Sequence, residues 1–241
     1  MPSSMTRSTA SRTCSSSYER SHMTPISPNS SLTTTLLDAR DRCARQGLLT
    51  SSLAGLSMRL PGESDFLFLD ATAGTPRRES WLTPSTNAPL SLSIHATVYR
   101  LRQDVGAVLS GGGVYSCALT DFGGTMPVAF DEQARHLGRM HRATPTATEH
   151  ELHGALRDGA NTAMVGGLAL CMGTTCQRAV LNAELFEKCA KAYVLAAATG
   201  QPVSTLPWWV CRIAIGRLHK DQRRASQRFA QGLLPEESRG Y

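Results

Sequence analysis

The sequence lacks any apolar run that approaches the ~18 residues needed by a membrane-spanning helix. With a hydrophobic content of 41%, this absence predicts a soluble globular protein without a membrane partner. The seven cysteines are odd in number and form no Cys-x-x-Cys pair, which argues against a disulfide framework and a thiolate zinc site. A chain of 241 residues suits one domain, and this cysteine usage indicates a reducing compartment, the cytoplasm.

Acidic residues are scarce near the C-terminus, where much of the net charge of +6 arises. After residue 211, seven Lys/Arg stand against three Asp/Glu. Apolar residues recur there at roughly helical spacing, at Leu218, Ala225, Phe229 and Leu233. We therefore predict that 205–241 is a helical extension with a solvated basic face. Aromatic residues are not interleaved with these cations for base stacking, so no nucleic-acid partner is expected.

Residues 1–32 are nearly free of acidic and branched apolar residues and rich in Ser, Thr and Arg. Such a segment buries too little surface to offset the entropy of ordering, so it is predicted to be a disordered tail. Three arginines, Arg7, Arg12 and Arg20, against the single Glu19 also resemble an organellar transit peptide, which stays an alternative. The domain is expected to occupy 33–241.

Hydrophobic periodicity and turn residues predict an alternation of helices and strands. Strands are expected at 56–60, 65–71 and 104–109, with a hairpin turning at Gly166-Gly167 within 162–173. Helices are expected at 33–47, after a cap at Asn87, at 114–121, within 146–159, and from Thr174 or Thr175 to Gly200. The stretch 73–86 is predicted to be a loop.

A nearly bare segment, Ser110-Gly111-Gly112-Gly113, falls where a strand ends and a helix begins. Its backbone N–H groups can bind an anion, as in phosphate-binding nests. It matches neither the spaced-glycine dinucleotide fingerprint nor the P-loop, which needs Lys and Ser/Thr after the last glycine. A tight turn that packs the helix close to the sheet is the other interpretation.

Several separate segments, in order over about 33–204, resemble the class II aldolase and adducin head family. In SIHATVYRLRQDVGAVLS, His95, Tyr99, Arg102 and Asp104 align with the family's helix and Arg-x-x-Pro-Asp-Val motif, although Gln103 replaces the proline. LSMRL carries the Ser-x-Arg pattern, and 164–203 resembles the family's Asn-His-Gly hairpin and long helix. The resemblance implies a three-layer α/β/α sandwich around a central, mainly antiparallel sheet.

Members of the aldolase branch bind zinc or a similar ion through a His-x-His pair and a third histidine on the later hairpin. The resemblance puts Ser110, Gly112 and Gly167 at these three positions, and Ser91 at that of the acid–base glutamate. Serine and glycine cannot replace imidazole as ligands. The resemblance therefore implies a metal-free, catalytically inactive protein that uses no cofactor and acts as an oligomeric binding or scaffold module, by family analogy a tetramer with a possible protein partner.

Other functions remain open. The cleft can still bind a small anion through Ser57, Arg59, Ser91, His95, Ser110, the backbone of Gly111, Gly112 and Gly113, and Gly167. A metal-dependent aldolase or epimerase acting on a sugar phosphate or hydroxy-carbonyl compound would need a rebuilt site, for which the sequence offers His136, His141, His150 and His153. Trp208-Trp209 is either an oligomer contact or part of the core.

Overall fold

The computed structural model describes residues 28–83, 85 and 87–237. Within them, six strands form one antiparallel sheet in the order β3-β2-β1-β4-β6-β5. The strands are β1 (Gly55–Arg59), β2 (Asp65–Asp70), β3 (Arg77–Ser80), β4 (Ala107–Gly111), β5 (Thr162–Val165) and β6 (Leu168–Gly173). The antiparallel sheet predicted from the family resemblance is confirmed.

The helices of the described chain cover both faces of this sheet. They are α1 (Pro28–Arg45), α2 (Leu90–Leu101), α3 (Val114–Ala118), α4 (Glu149–Ala155), α5 (Cys176–Ala197) and α6 (Trp208–Ala230). One buried cluster joins α1 and α5 to the sheet through residues such as Leu36, Leu109 and Phe186. A second cluster on the other face joins α2 and α4 to it through Ile94 and Leu152. The three-layer α/β/α sandwich is confirmed.

The first helix begins earlier than the sequence predicts. It starts at Pro28, so residues 28–32 of the predicted tail are helical, and residues 1–27 lie outside the described part of the chain. Proline suits the first turn because its missing N–H has no helical partner there. The apolar stripe that fixes the helix against the sheet, Leu36, Ala39 and Cys43, lies further on.

Strand β3 was not predicted, because Arg77–Ser80 carries no apolar alternation. It is the edge strand of the sheet, and its charged side chains are at least partly exposed. Edge strands commonly carry such charges, which discourage pairing with other chains. The prediction of a loop at 73–86 is therefore wrong for these residues.

The central strand extends into the glycine run. Strand β4 starts at Ala107 rather than residue 104 and continues to Gly111, which pairs with Ala169 of β6. Helix α3 is only five residues long and passes into a 3₁₀ turn over Leu119–Phe122, so the predicted helix 114–121 is two elements. Likewise, α2 begins at Leu90 after Pro89 and not directly after Asn87.

Other local predictions are confirmed. The β5–β6 hairpin turns at Gly166 and Gly167, whose φ angles are 57° and 78°. The Thr148 and Thr175 side chains accept hydrogen bonds from the backbone N–H groups of Glu151 and Arg178, and so cap α4 and α5.

Helix α6 lies in the segment predicted to be a basic helix and packs on the π-helical turn Gln133–Leu137. Its inward side chains include Leu218, Ala225 and Phe229, whereas Leu233 lies beyond the helix and is 45% exposed. Across residues 28–83, 85 and 87–237, no helix has the length and apolar character that crossing a membrane requires.

Gly106, just before β4, holds α6 close to the sheet. A Cβ atom there would overlap the carbonyl oxygen of Thr174 and lie 2.9 Å from Cζ of Phe229. Gly106→Ala should therefore lower the free energy of unfolding by about 1–3 kcal/mol through overpacking. Gly154→Ala is the control, because a Cβ in this helical position meets no atom within 4 Å. It should instead stabilise the protein by about 0.5–1 kcal/mol. Urea unfolding of both variants tests this, and equal effects would contradict it.

Candidate functional site

Four polar side chains meet between α2 and the sheet, where β1 pairs with β4. Ser57 lies on β1, Ser110 lies at the end of β4, and His95 and Tyr99 occupy successive turns of α2. Because Ser57 pairs with Val108 and Gly55 pairs with Ser110, the two serines are held two positions apart on neighbouring strands. Three predicted site residues are thus brought together, and Tyr99 joins them.

These side chains form a continuous hydrogen-bond chain. The Ser110 hydroxyl donates to the Leu53 carbonyl oxygen (3.2 Å), so it accepts from Nε2–H of His95 (2.9 Å). The neutral imidazole then accepts at Nδ1 from the Ser57 hydroxyl (2.7 Å), which accepts from the Tyr99 hydroxyl (2.8 Å). The tautomer follows from this network, since a neutral imidazole has one donor and one acceptor.

Burial determines the charge of this chain. His95 and Tyr99 are fully buried, and the His95 ring packs edge-on against Phe68. Loss of solvation lowers the pKa of His95 to about 3, because the charged imidazolium is disfavoured in the core. Loss of solvation also raises the pKa of Tyr99 above its ordinary value, against the opposing effects of Ser57 and Arg59. Both groups are neutral at pH 7.

Ser91 lies one turn before His95 in the first turn of α2 and is buried. The helix therefore brings Ser91 to the same end of the fold as the hydrogen-bond chain. Its hydroxyl is not ionisable in the manner of a carboxylic acid, so the position carries no general acid or base.

The N–H groups of the glycine run have partners within the protein. Gly112 N–H donates to the Leu48 carbonyl oxygen (2.9 Å), and Gly113 N–H donates to the Ser116 hydroxyl (2.9 Å). Gly111 belongs to the β4–β6 ladder. The anion contact predicted for Gly112 and Gly113 would have to displace these hydrogen bonds.

A carboxylate of the protein lies at the start of α3. Glu187 of α5 accepts hydrogen bonds from the backbone N–H groups of Tyr115 (2.8 Å) and Ser116 (2.9 Å). A Cβ at Gly113 would lie 2.5 Å from its Cδ atom, so glycine is needed for this approach. Glu187 was not predicted as a functional residue, although its spacing from Ala183 and Ala190 places it on the buried side of α5.

The two glycines at expected metal-ligand positions, Gly112 and Gly167, differ in the space around them. Gly112 has a φ of 101°, and a Cβ there would lie 2.7 Å from Cβ of Ala169. Gly167 lies at the exposed hairpin tip, where a Cβ would meet no atom within 4 Å. Space for a side chain is therefore open at residue 167, although its φ of 78° strains residues other than glycine, whereas at residue 112 the neighbouring atoms would have to move.

The four histidines considered for a rebuilt site do not form one. His150 and His153 are exposed on α4. His141 accepts a hydrogen bond from Arg157 (3.1 Å). Burial lowers the pKa of His136 to about 4. In the part of the chain that the structure describes, no three His, Cys, Asp or Glu side chains cluster in a way that would hold a metal ion.

Arg59, predicted to bind ligand beside the glycines, lies at the opposite end of β1 from Gly55. Its Nε donates to the Val105 carbonyl oxygen, and its Nη2 donates to those of Tyr99 and Arg102. Arg59 therefore lies two residues beyond Ser57 on β1 and contacts Tyr99, at one end of the hydrogen-bond chain, rather than the glycines.

The family motif also positions a buried ion pair. Arg102 donates to both carboxylate oxygens of Asp104 (2.8 and 2.7 Å) and to the Ala160 carbonyl oxygen. Asn161, which accepts from Arg102, also accepts from the amide of Gln222 on α6. These motif residues link the end of α2 to α6 and serve the fold.

The buried neutral His95 predicts an acid-sensitive stability. The unfolded chain protonates this imidazole near pH 6.5, whereas the folded protein keeps it neutral down to about pH 3. The free energy of unfolding should thus be constant above pH 6.5 from this group and fall by about 1.4 kcal/mol per pH unit between roughly pH 6 and 4. Urea unfolding at several pH values should show that His95→Gln removes this slope.

His150→Gln, at an exposed histidine, is the matched control and should keep the wild-type slope. His136 is present in both variants, so its contribution cancels. NMR of the imidazoles gives a second measurement: the ring whose signals disappear in His95→Gln should remain neutral near pH 5 and carry its proton at Nε2, while His136, whose pKa is lowered to about 4, is also largely neutral there. An imidazolium at His95 at that pH would refute the assignment.

Comparisons with known proteins agree with this architecture. The model of the class II aldolase and adducin N-terminal domain family matches residues 11–194. A search of curated proteins finds no match. An L-fuculose 1-phosphate aldolase superposes with a TM-score of 0.66 at 16% identity, covering 79% of this chain and 97% of its own.

Two further structures are similar. The L-fuculose 1-phosphate aldolase from Glaciozyma antarctica PI12 has a TM-score of 0.61 at 17% identity, over 84% of this chain and 90% of its own. An aldolase II superfamily protein from Pseudomonas syringae has a TM-score of 0.59 at 16% identity, over 88% of this chain and 98% of its own. At these identities the likeness shows the fold alone. Since the family model matches more than half of its length, the chain belongs to the class II aldolase and adducin N-terminal domain family.

Proposed function

We propose that this protein is a catalytically inactive member of its family and acts as an oligomeric binding or scaffold module in the cytoplasm. The observation that carries the proposal is the hydrogen bond between Nε2 of His95 and the Ser110 hydroxyl, at 2.9 Å. Ser110 stands where the family resemblance expects a metal-binding imidazole. In this protein the Ser110 hydroxyl instead forms hydrogen bonds that hold α2 against the sheet.

The donor set at the three ligand positions does not fit a divalent ion. Ser110 offers a neutral hydroxyl that already binds His95 and the Leu53 carbonyl, and Gly112 and Gly167 offer no side-chain donor. Catalytic zinc sites need three protein ligands with nitrogen, sulfur or carboxylate donors. A Cβ added at residue 112 would overlap Ala169, which further supports a site remodelled around the missing side chain.

The residues available for proton transfer support the same proposal. A general base working near pH 7 needs a pKa close to that value. The pKa of His95 is lowered to about 3, and that of Tyr99 is raised above its ordinary range. With Ser91 in place of a carboxylate, none of these residues, among those that the structure describes, is suited to act as the acid or base of an enolisation.

The alternative is a divalent-metal-dependent aldolase- or epimerase-type lyase with a rebuilt site. The structural likeness to L-fuculose 1-phosphate aldolases favours it. Such a site would need ligands other than Ser110, Gly112 and Gly167. Nε2 of His141 is buried without a hydrogen bond, 3.5 Å from a carboxylate oxygen of Asp158, but it would have to lose its proton to bind an ion because Nδ1 accepts from Arg157.

Metal content and activity separate the two candidates. Untagged protein, incubated with Zn²⁺, Mn²⁺ or Co²⁺ and then gel-filtered, should retain far less than one ion per chain by mass spectrometry. It should not cleave L-fuculose 1-phosphate, with or without a chelator. An active L-fuculose 1-phosphate aldolase is the positive control. One tightly bound ion per chain, together with chelator-sensitive cleavage, would establish the alternative.

The scaffold role needs a contact surface, for which α6 offers an apolar patch. Trp208, Trp209 and Ile213 are 74%, 55% and 54% exposed at its N-terminal end. Within one chain the tryptophans therefore do not pack in the core. Each can bury about 150–250 Å² at an interface. We propose that this patch contacts another copy of the chain, in a tetramer.

Replacing both tryptophans should weaken assembly. Trp208→Ser/Trp209→Ser is expected to shift the protein toward monomer because it removes the largest exposed apolar surface of α6. Leu82→Ser, at an equally exposed apolar residue before α2, is the control and should leave the mass unchanged. Light scattering coupled to gel filtration measures this. A monomeric wild-type protein, or an unchanged double variant, would contradict the proposal.

A further inference from the structure

A cleft of about 600 Å³ lies at the Arg59 end of β1, away from Gly55 and the glycine run. It is formed by the β1–β2 turn, the end of β3, the segment after α2 and the last turns of α6. Its lining includes Arg59, Trp81, Gln103, Ser226, Gln227 and Phe229. The family model ends at residue 194, so α6 and its side of the cleft lie outside the matched region.

Arg59 is the unusual residue of this cleft, because it is a buried cation without a carboxylate partner. Arg59 is only 5% exposed, and no Asp or Glu of the described chain forms an ion pair with it. Asp104 attracts Arg59 through space and so opposes the lowering of its pKa, but both Asp104 oxygens are bound to Arg102 and form no direct ion pair with Arg59. Burial lowers the pKa of Arg59, which reflects the cost of keeping this charge out of water. A buried charge usually has a counter-ion.

The contacts of Arg59 fix its orientation and leave one nitrogen unused. Nε and Nη2 donate to three carbonyl oxygens at the end of α2. Its guanidinium lies 4.7 Å from the Trp81 ring and 5.1 Å from the Phe229 ring. Carbonyl dipoles and ring faces attract a cation but do not neutralise it. Within the described residues Nη1 makes no hydrogen bond, so it is the nitrogen that can meet a ligand.

The rest of the lining suits an anion that carries an apolar group. Gln103 and Gln227 offer amide donors, Ser226 offers a hydroxyl, and Trp81 contributes an aromatic ring. Glu63, the acidic residue of the lining, is paired with Arg78.

We propose that this cleft binds a small organic oxyanion, a carboxylate or a phosphate monoester with a flat apolar group, whose charge pairs with Arg59. The anion supplies the counter-ion that the chain itself does not. This site is independent of the proposed inactivity of the ancestral centre, since it shares no residue with Ser110, Gly112 or Gly167.

Thermal unfolding with phenyl phosphate, benzoate and inorganic phosphate, against sodium chloride at equal ionic strength, tests the proposal. A ligand that binds only the folded protein should raise the melting temperature by about 5–10 °C at ~100 times its Kd. Stabilisation by benzoate identifies a carboxylate site, and stabilisation by phenyl phosphate identifies a phosphate site. If none of the three anions raises the melting temperature more than chloride does, the proposal is wrong.

A carboxylate introduced into the cleft should compete with the ligand. Gln227→Glu is nearly isosteric and offers Arg59 an internal partner, so it should abolish the anion effect. Gln231→Glu adds the same charge one turn later, outside this cleft, and should keep the anion effect. Equal responses of the two variants would overturn the site. If Gln227→Glu does not fold, Ser226→Asp makes the same comparison.

Discussion

The fold depends on satisfying polar groups that lie between α2 and the sheet. Ser57, His95, Tyr99 and Ser110 are buried where water cannot reach them, and each is paired with the next. A buried donor or acceptor left without its partner costs about 1–3 kcal/mol. The four residues are therefore coupled, and a change at one of them exposes its neighbour to that cost. These hydrogen bonds fix α2 against the sheet, and burial keeps the His95 imidazole neutral.

The same constraint explains the glycines. With no side chain at Gly113, Glu187 approaches the backbone and supplies the negative charge at the start of α3. Gly112 allows close contact with Ala169, and its N–H and carbonyl groups join the strand to the segment after α1. The glycine run forms a tight turn, and the carboxylate beside it is held by the N–H groups of Tyr115 and Ser116 rather than by those of the glycines. Binding of a ligand anion by the glycines stays a prediction.

The two ends of β1 are thus chemically opposite. At the Ser110 end, hydroxyl, imidazole and backbone groups are paired within the protein, which supports the proposed loss of catalysis. At the Arg59 end, a buried charge has carbonyl and aromatic neighbours and, among the residues that the structure describes, no direct ion pair. Electrostatics accordingly favours ligand binding at the second end, although the family resemblance directs attention to the first.

The sequence by itself determined the family and, through that resemblance, the layered architecture, because several motifs stand in the family's order. Local turn and capping chemistry determined the β5–β6 hairpin and the caps at Thr148 and Thr175. It did not reveal β3, since an edge strand needs no apolar alternation. Only tertiary structure decided the roles of the polar residues. Glu187 reaches α3 across 71 residues of sequence, and Arg59 is separated from the glycines by the length of a strand. Such pairings depend on strand register and helix packing, which bring distant residues together without leaving a local pattern.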